Sequence, residues 1–103
     1  MYRGTTPTIT FKIDTDLDLD DLAVCYVTMK SQVNNKTKEY TLSDLVVDSI
    51  AKTLTLAMDQ DDTLYFVPGS VQVQIRLRTN DDLAYASDIK TINFKQVIKN
   101  GVI

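Results

Sequence analysis

The residues Val71–Arg78, VQVQIRLR, alternate apolar and polar side chains without a break. Successive side chains of a β-strand point to opposite faces, so a period of two leaves Val71, Val73, Ile75 and Leu77 on one face and Gln72, Gln74, Arg76 and Arg78 on the other. A helix would scatter the same residues around its axis. The segment is expected to be a central strand, and the chain must supply other strands to cover its apolar face.

Weaker versions of the same pattern recur, separated by turn residues. Thr8–Ile13 follows Pro7, which suits a strand start, and places Ile9, Phe11 and Ile13 inward. Leu22–Lys30 sets Cys25, Val27 and Met29 against Tyr26, Thr28 and Lys30. After a polar tract with Asn34 and Asn35, residues that tolerate left-handed backbone, Thr37–Thr41 reads as a Lys- and Thr-rich edge strand. Leu45–Val47 and Ile50–Met58 form a second hairpin around Asp48 and Ser49. Asp59 stands three residues before Asp62, which predicts a capped helical turn near residues 59–65 where the chain crosses between sheets. Beyond Pro68-Gly69 and the central strand, Thr79–Asp82 makes a turn and Leu83–Phe94 a last strand. A bulge near Ser87 and Asp88 reconciles Ala84 and Ala86 with Ile92 and Phe94, since Ile89 is out of phase. Lys95–Ile103 reads as a short helix closed by Gly101 or a return strand.

Composition agrees. Thirteen of the fourteen acidic residues are Asp, with Glu39 the exception, and Thr, Val and Ile are abundant. Asp favours caps and turns and β-branched residues favour strands. The expected fold is an all-β, immunoglobulin-like antiparallel β-sandwich of about seven strands with one short helical turn. The 103 residues are expected to form a single domain over residues 1–103. Its expected core is Ile9, Phe11, Val27, Leu54, Leu56, Val71, Val73, Ile75, Leu77 and Phe94.

The same inventory narrows function. A net charge of −3 with dispersed Lys and Arg lacks the basic stripe of a nucleic-acid binder. Neither a signal-peptide run nor a stretch long enough to span a bilayer occurs, so no membrane partner is expected and synthesis in the cytosol is. Histidine is absent and Cys25 is the only cysteine, which removes intrachain disulfides and zinc sites built from several Cys and His. Cys25, flanked by Val24, Tyr26 and Val27, reads as a buried thiol without a base beside it. Three scattered glycines make no phosphate loop. No cofactor and no catalytic residue are expected.

Two constellations remain. Asp14, Asp16, Asp18 and Asp20, followed by Asp21, are candidate Ca²⁺ ligands because oxygen-rich loops hold hard cations. The EF-hand spacing fails: from Asp16 the sixth and twelfth positions are Asp21 and Val27, and from Asp14 they are Leu19 and Cys25. A solvated loop is the simpler reading. Arg76 and Arg78 share one strand face; a solvated sheet face is the simpler reading of them, and a small anion or an acidic partner is the alternative. Tyr26 and Tyr40, amphipathic side chains of the kind found at interfaces, and the apolar terminus Val102 and Ile103 are the candidate contact residues.

A resemblance carried by segments along the whole sequence supplies the functional lead. YRGTTPTITF at Tyr2–Phe11, YVTMK at Tyr26–Lys30, LTLAMDQDDTLYFVPGSVQVQIRLRTND at Leu54–Asp81, AYASDI at Ala84–Ile89 and the ending VIKNGVI carry it. With these features the sequence resembles small proteins of prophages in Gram-positive bacteria, similar to the immunoglobulin-like N-terminal module of phage baseplate upper proteins. The resemblance implies a non-enzymatic structural or assembly protein of the tail or baseplate. It would contact other phage structural proteins or itself as a homo-oligomer, and enter the virion. Baseplate upper proteins continue into further domains where this sequence stops at Ile103, which fits a freestanding adaptor or a small protein encoded beside tail genes. The alternative from the residues alone is a small binding module for Ca²⁺ or carbohydrate using the Asp14–Asp21 loop.

Overall fold

The computed structural model describes all residues, Met1–Ile103. Its elements run β1 (Thr8–Lys12), β2 (Leu22–Ser31), β3 (Thr37–Thr41), β4 (Leu45–Asp48), β5 (Thr53–Ala57), α1 (Gln60–Tyr65), β6 (Gly69–Thr79), β7 (Ala84–Ala86) and β8 (Lys90–Phe94). Short 3₁₀ turns occupy Leu19–Asp21 and Leu42–Asp44.

Two antiparallel sheets result. One has the order β1-β5-β4, the other β3-β2-β6-β7 with β8 also on β6. These are the neighbours of strands B-E-D and C′-C-F-G in an immunoglobulin sandwich, and α1 is the crossing from β5 to β6. Ahead of β1, Tyr2 makes a single parallel bridge to Lys95, just beyond β8.

Alternation places the core. Val71, Val73, Ile75 and Leu77 of β6 and Cys25, Val27 and Met29 of β2 are buried against Leu54 and Leu56 of β5 in one apolar cluster. Ile9 and Phe11 of β1 are only partly buried against it, because β1 is a sheet edge. Phe66, which no alternation marks, is fully buried just after α1 and packs on Phe94 with ring centroids 5.3 Å apart.

Local chemistry fixes the connections. Asp59 Oδ1 accepts from Asp62 N–H at 2.8 Å and Asp62 Oδ2 from Asp59 N–H at 2.9 Å, a reciprocal cap that starts α1. At its other end Arg3 donates to the carbonyls of Leu64 and Phe66, which have no partner within the helix. Asp48 accepts from Ile50 and Ala51 N–H, so the β4–β5 turn is longer than expected and β5 begins at Thr53. Asn35 and Asp82 hold positive φ at the β2–β3 and β6–β7 turns.

Two expectations need correction. The last strand is split: Arg76 pairs with Ala86 but Val73 with Lys90, a one-residue shift at the expected bulge, so that it counts as two of the eight strands. Inward residues are therefore Tyr85 before the bulge and Ile92 and Phe94 after it, while Ala84 and Ala86 face solvent. The tail is neither helix nor strand. Its terminal Ile103 exchanges two hydrogen bonds with the Gln60 side chain, N–H to Oε1 at 2.8 Å and O from Nε2 at 3.1 Å.

Candidate functional site

Register determines what the outward face of the larger sheet presents. Tyr26 pairs with Arg76 and Arg76 with Ala86; one row along, Val24 pairs with Arg78 and Arg78 with Ala84. These residues, with Leu77 and Tyr85 beneath, line a shallow cavity of about 420 Å³. A smaller depression of about 210 Å³ lies across Val24 and Tyr26 toward Thr41 and Leu42. Two guanidinium groups thus stand on an apolar floor with Tyr26 along one side and only methyl groups on the other.

The charges are lightly committed. Arg76 has no ion pair; Arg78 meets Asp82 at 3.5 Å, and that carboxylate is 87% exposed. Arg78 also donates to Thr79 O at 3.3 Å. An exposed pair of this kind contributes little, so either arginine is available to a carboxylate brought onto the face.

Of the expected contact residues, Tyr26 lies in this face and is exposed. Tyr40 does not. It pairs with Val27, a core residue, and cross-strand neighbours share a face, so the ring turns inward and is 6% exposed. It sits in a separate cluster at the β3 edge. Lys38 bridges Asp62 at 2.7 Å and stands over the rings of Tyr40 and Tyr65, while Tyr65 Oη donates to Thr37 O at 2.9 Å. Burial and then the nearby Asp62 charge raise the Tyr40 phenol well above its ordinary value, yet its hydroxyl makes no hydrogen bond of acceptable geometry. Burial also opposes ionisation of Asp62, but the Lys38 hydrogen bond and the Asp59 N–H outweigh it and hold that carboxyl below its usual range. Val102 and Ile103 are exposed at α1 and do not line the outward face.

The acidic segment does not bring its carboxylates together. Asp14, Asp16, Asp18 and Asp20 form no convergent cluster of ligand groups. Asp18 Oδ1 accepts from Asp20 N–H and caps the 3₁₀ turn; Asp21 Oδ1 accepts from Asn80 Nδ2 and latches the segment to the β6–β7 turn. Leu19 is buried, and Lys52 Nζ donates to the carbonyls of Thr15 and Leu17. Two carbonyls of this segment are therefore held by an ammonium group. Burial pushes the Cys25 thiol up to about 11, so at neutral pH it is not the thiolate that nucleophilic chemistry uses.

Sequence reading found Tyr26, Arg76 and Arg78 but not Val24, Ala84 and Ala86. The missing signal was register: only the pairing of β2, β6 and β7 shows that these small residues frame the arginines. Comparison with protein-family models, curated proteins and solved structures finds no match to this chain.

Proposed function

We propose that this chain is a non-enzymatic phage or prophage structural or assembly protein, associated with a tail or baseplate, that works through contacts with other phage structural proteins or with copies of itself. The observation that carries the contact reading is the outward face of β2, β6 and β7, where Tyr26 and two arginines surround an apolar depression that serves no core purpose. Aromatic and Arg side chains over a partly apolar floor are the composition enriched where proteins meet. The phage setting is supported by the resemblance of YRGTTPTITF, the Leu54–Asp81 stretch and VIKNGVI. The protein would be made in the bacterial cytoplasm and carried into the virion or its assembly intermediates.

Induction of a lysogen carrying the gene, followed by mass spectrometry of purified particles and tail intermediates, tests this reading. Recovery of the chain at a fixed ratio to tail proteins is the expected result. Its absence from both fractions, together with a strictly monomeric mass by light scattering, would overturn it.

A further inference from the structure

The two edges of the larger sheet are finished differently. At β3, Lys38 points inward and Tyr65 Oη occupies the Thr37 carbonyl, devices that block a further strand. At β7 nothing comparable stands. Leu83 O accepts from Thr79 N–H at 2.9 Å and Ser87 N–H donates to Ile75 O at 2.8 Å, so the odd-numbered residues direct their backbone groups toward β6. By strand alternation the N–H and C=O of Ala84 and Ala86 face the open edge. Both alanines are exposed, and neither carries more than a methyl group.

Directly behind that edge, Ala84 is opposite Arg78 and Ala86 opposite Arg76. Strands in a sheet lie about 4.8 Å apart, so a strand added to β7 would sit two strand spacings from the arginines with only methyls between. Its residues in the rows of Ala84 and Ala86 are two apart in sequence, the spacing of Arg76 and Arg78.

The geometry points to a docking site at the free edge of β7 for an extended acidic segment of a partner protein, carrying carboxylates at alternate positions that pair with Arg76 and Arg78. Backbone hydrogen bonds to Ala84 and Ala86 give attachment, and the two guanidinium groups give selectivity by charge and spacing. Asp82 is displaced from Arg78 at little cost because it is an exposed, 3.5 Å pair. The inference rests on the contact reading above and names the chemistry of the partner at that same face.

The test uses the full chain and synthetic peptides. A peptide of alternating Asp and Val residues is titrated by amide NMR, beside an isomer in which the same Asp residues are adjacent and a version with Lys for Asp. The alternating peptide is expected to shift the amides of Ala84 and Ala86. Arg76→Gln with Arg78→Gln is expected to weaken it about tenfold, from the loss of two charge-assisted pairs. Ala86→Pro, which removes an outward N–H at an edge where proline is tolerated, is expected to abolish the shifts while the melting temperature holds. Equal binding of the adjacent-Asp isomer, binding unaffected by the arginine changes, or no binding of the alternating peptide would each overturn the inference. So would a self-associated state in light scattering that the arginine changes dissolve, since the occupant would then be a second copy. If wild-type chain enters particles and the arginine double variant enters them undiminished, the contact reading stands and the β7 edge is the wrong surface.

Discussion

Tyr40→Phe should stabilise this protein, the opposite of the usual outcome for a buried tyrosine. The ring is 6% exposed and faces the core beside Val27, and its hydroxyl lies near the Asp62 carboxylate without a hydrogen bond of good geometry. A buried polar group left unpaired costs about 1–3 kcal/mol in desolvation. The phenolic dipole recovers part of this from the Asp62 charge nearby, the same charge that, after burial, raises the phenol's pKa. Removing the oxygen should therefore gain about 1 kcal/mol net, which for a domain of this size moves the melting temperature up by about 4–8 °C. Urea unfolding at pH 7 with a fixed m-value gives the free energy directly. Repeating it with Asp62→Asn tests the cause, because a dipole interaction predicts coupling below about 0.5 kcal/mol. A loss of about 1 kcal/mol in Tyr40→Phe, with coupling of similar size to Asp62, would show a real hydrogen bond and refute the reasoning.

Other perturbations probe the remaining elements. Val73→Asp buries an unpaired charge on the central strand, where Val73 is 2% exposed; it should cost about 3–5 kcal/mol, and an unchanged thermal melt would contradict the placement of β6. Lys52→Met removes the ammonium that holds the Thr15 and Leu17 carbonyls. A loss of about 1–2 kcal/mol is expected, with faster amide exchange confined to residues 14–18; uniform exchange would show that Lys52 does not anchor the loop. Asp62 has a folded pKa below its unfolded value, so its contribution is present above the ordinary carboxylate range and is lost as pH falls through the lower folded value. Lys38→Met should therefore flatten the acid side of the stability curve, and equal slopes for variant and parent would rule that out. Calorimetry with Ca²⁺ should give no heat and no rise in melting temperature, because the four aspartates do not converge; a concentration-dependent rise would place an ion site in the loop.

The fold was legible wherever one face of a strand meets the core. β6 and β2 declare their buried residues by alternation alone, and Asp59 with Asp62 marks the start of α1. Tyr40 was not legible, because β3 is short and weakly apolar and its face depends on the hairpin register. Ser31 N–H to Lys36 O and the positive φ of Asn35 set that register, and a slip of one residue would have turned Tyr40 outward. Phe66 lies in irregular chain held by Arg3 from more than half the sequence away, a long-range contact with no local trace. The candidate face was half legible. Arg76 and Arg78 share a side by parity, but the alanines beside them needed the bulge at Ser87 to be located.

The distribution of aspartate bears on what such a face can accept. The short Asp side chain suits caps, and Asp18, Asp48, Asp59 and Asp62 all accept backbone N–H groups within three residues of themselves. Because caps sit at strand ends, the acidic charge gathers there: Asp81 and Asp82 close the turn leading into β7, and Asp21 is latched to that turn through Asn80. A partner bearing a long acidic run would meet this rim as well as the arginines and be repelled by it, over a screening length of about 8 Å at physiological salt. A short segment with two carboxylates at the spacing of Arg76 and Arg78 would gain the attraction and avoid most of the repulsion. Selectivity at the β7 edge therefore comes from the spacing of a few charges and from rejection of the wrong ones, not from the acidity of the partner as a whole.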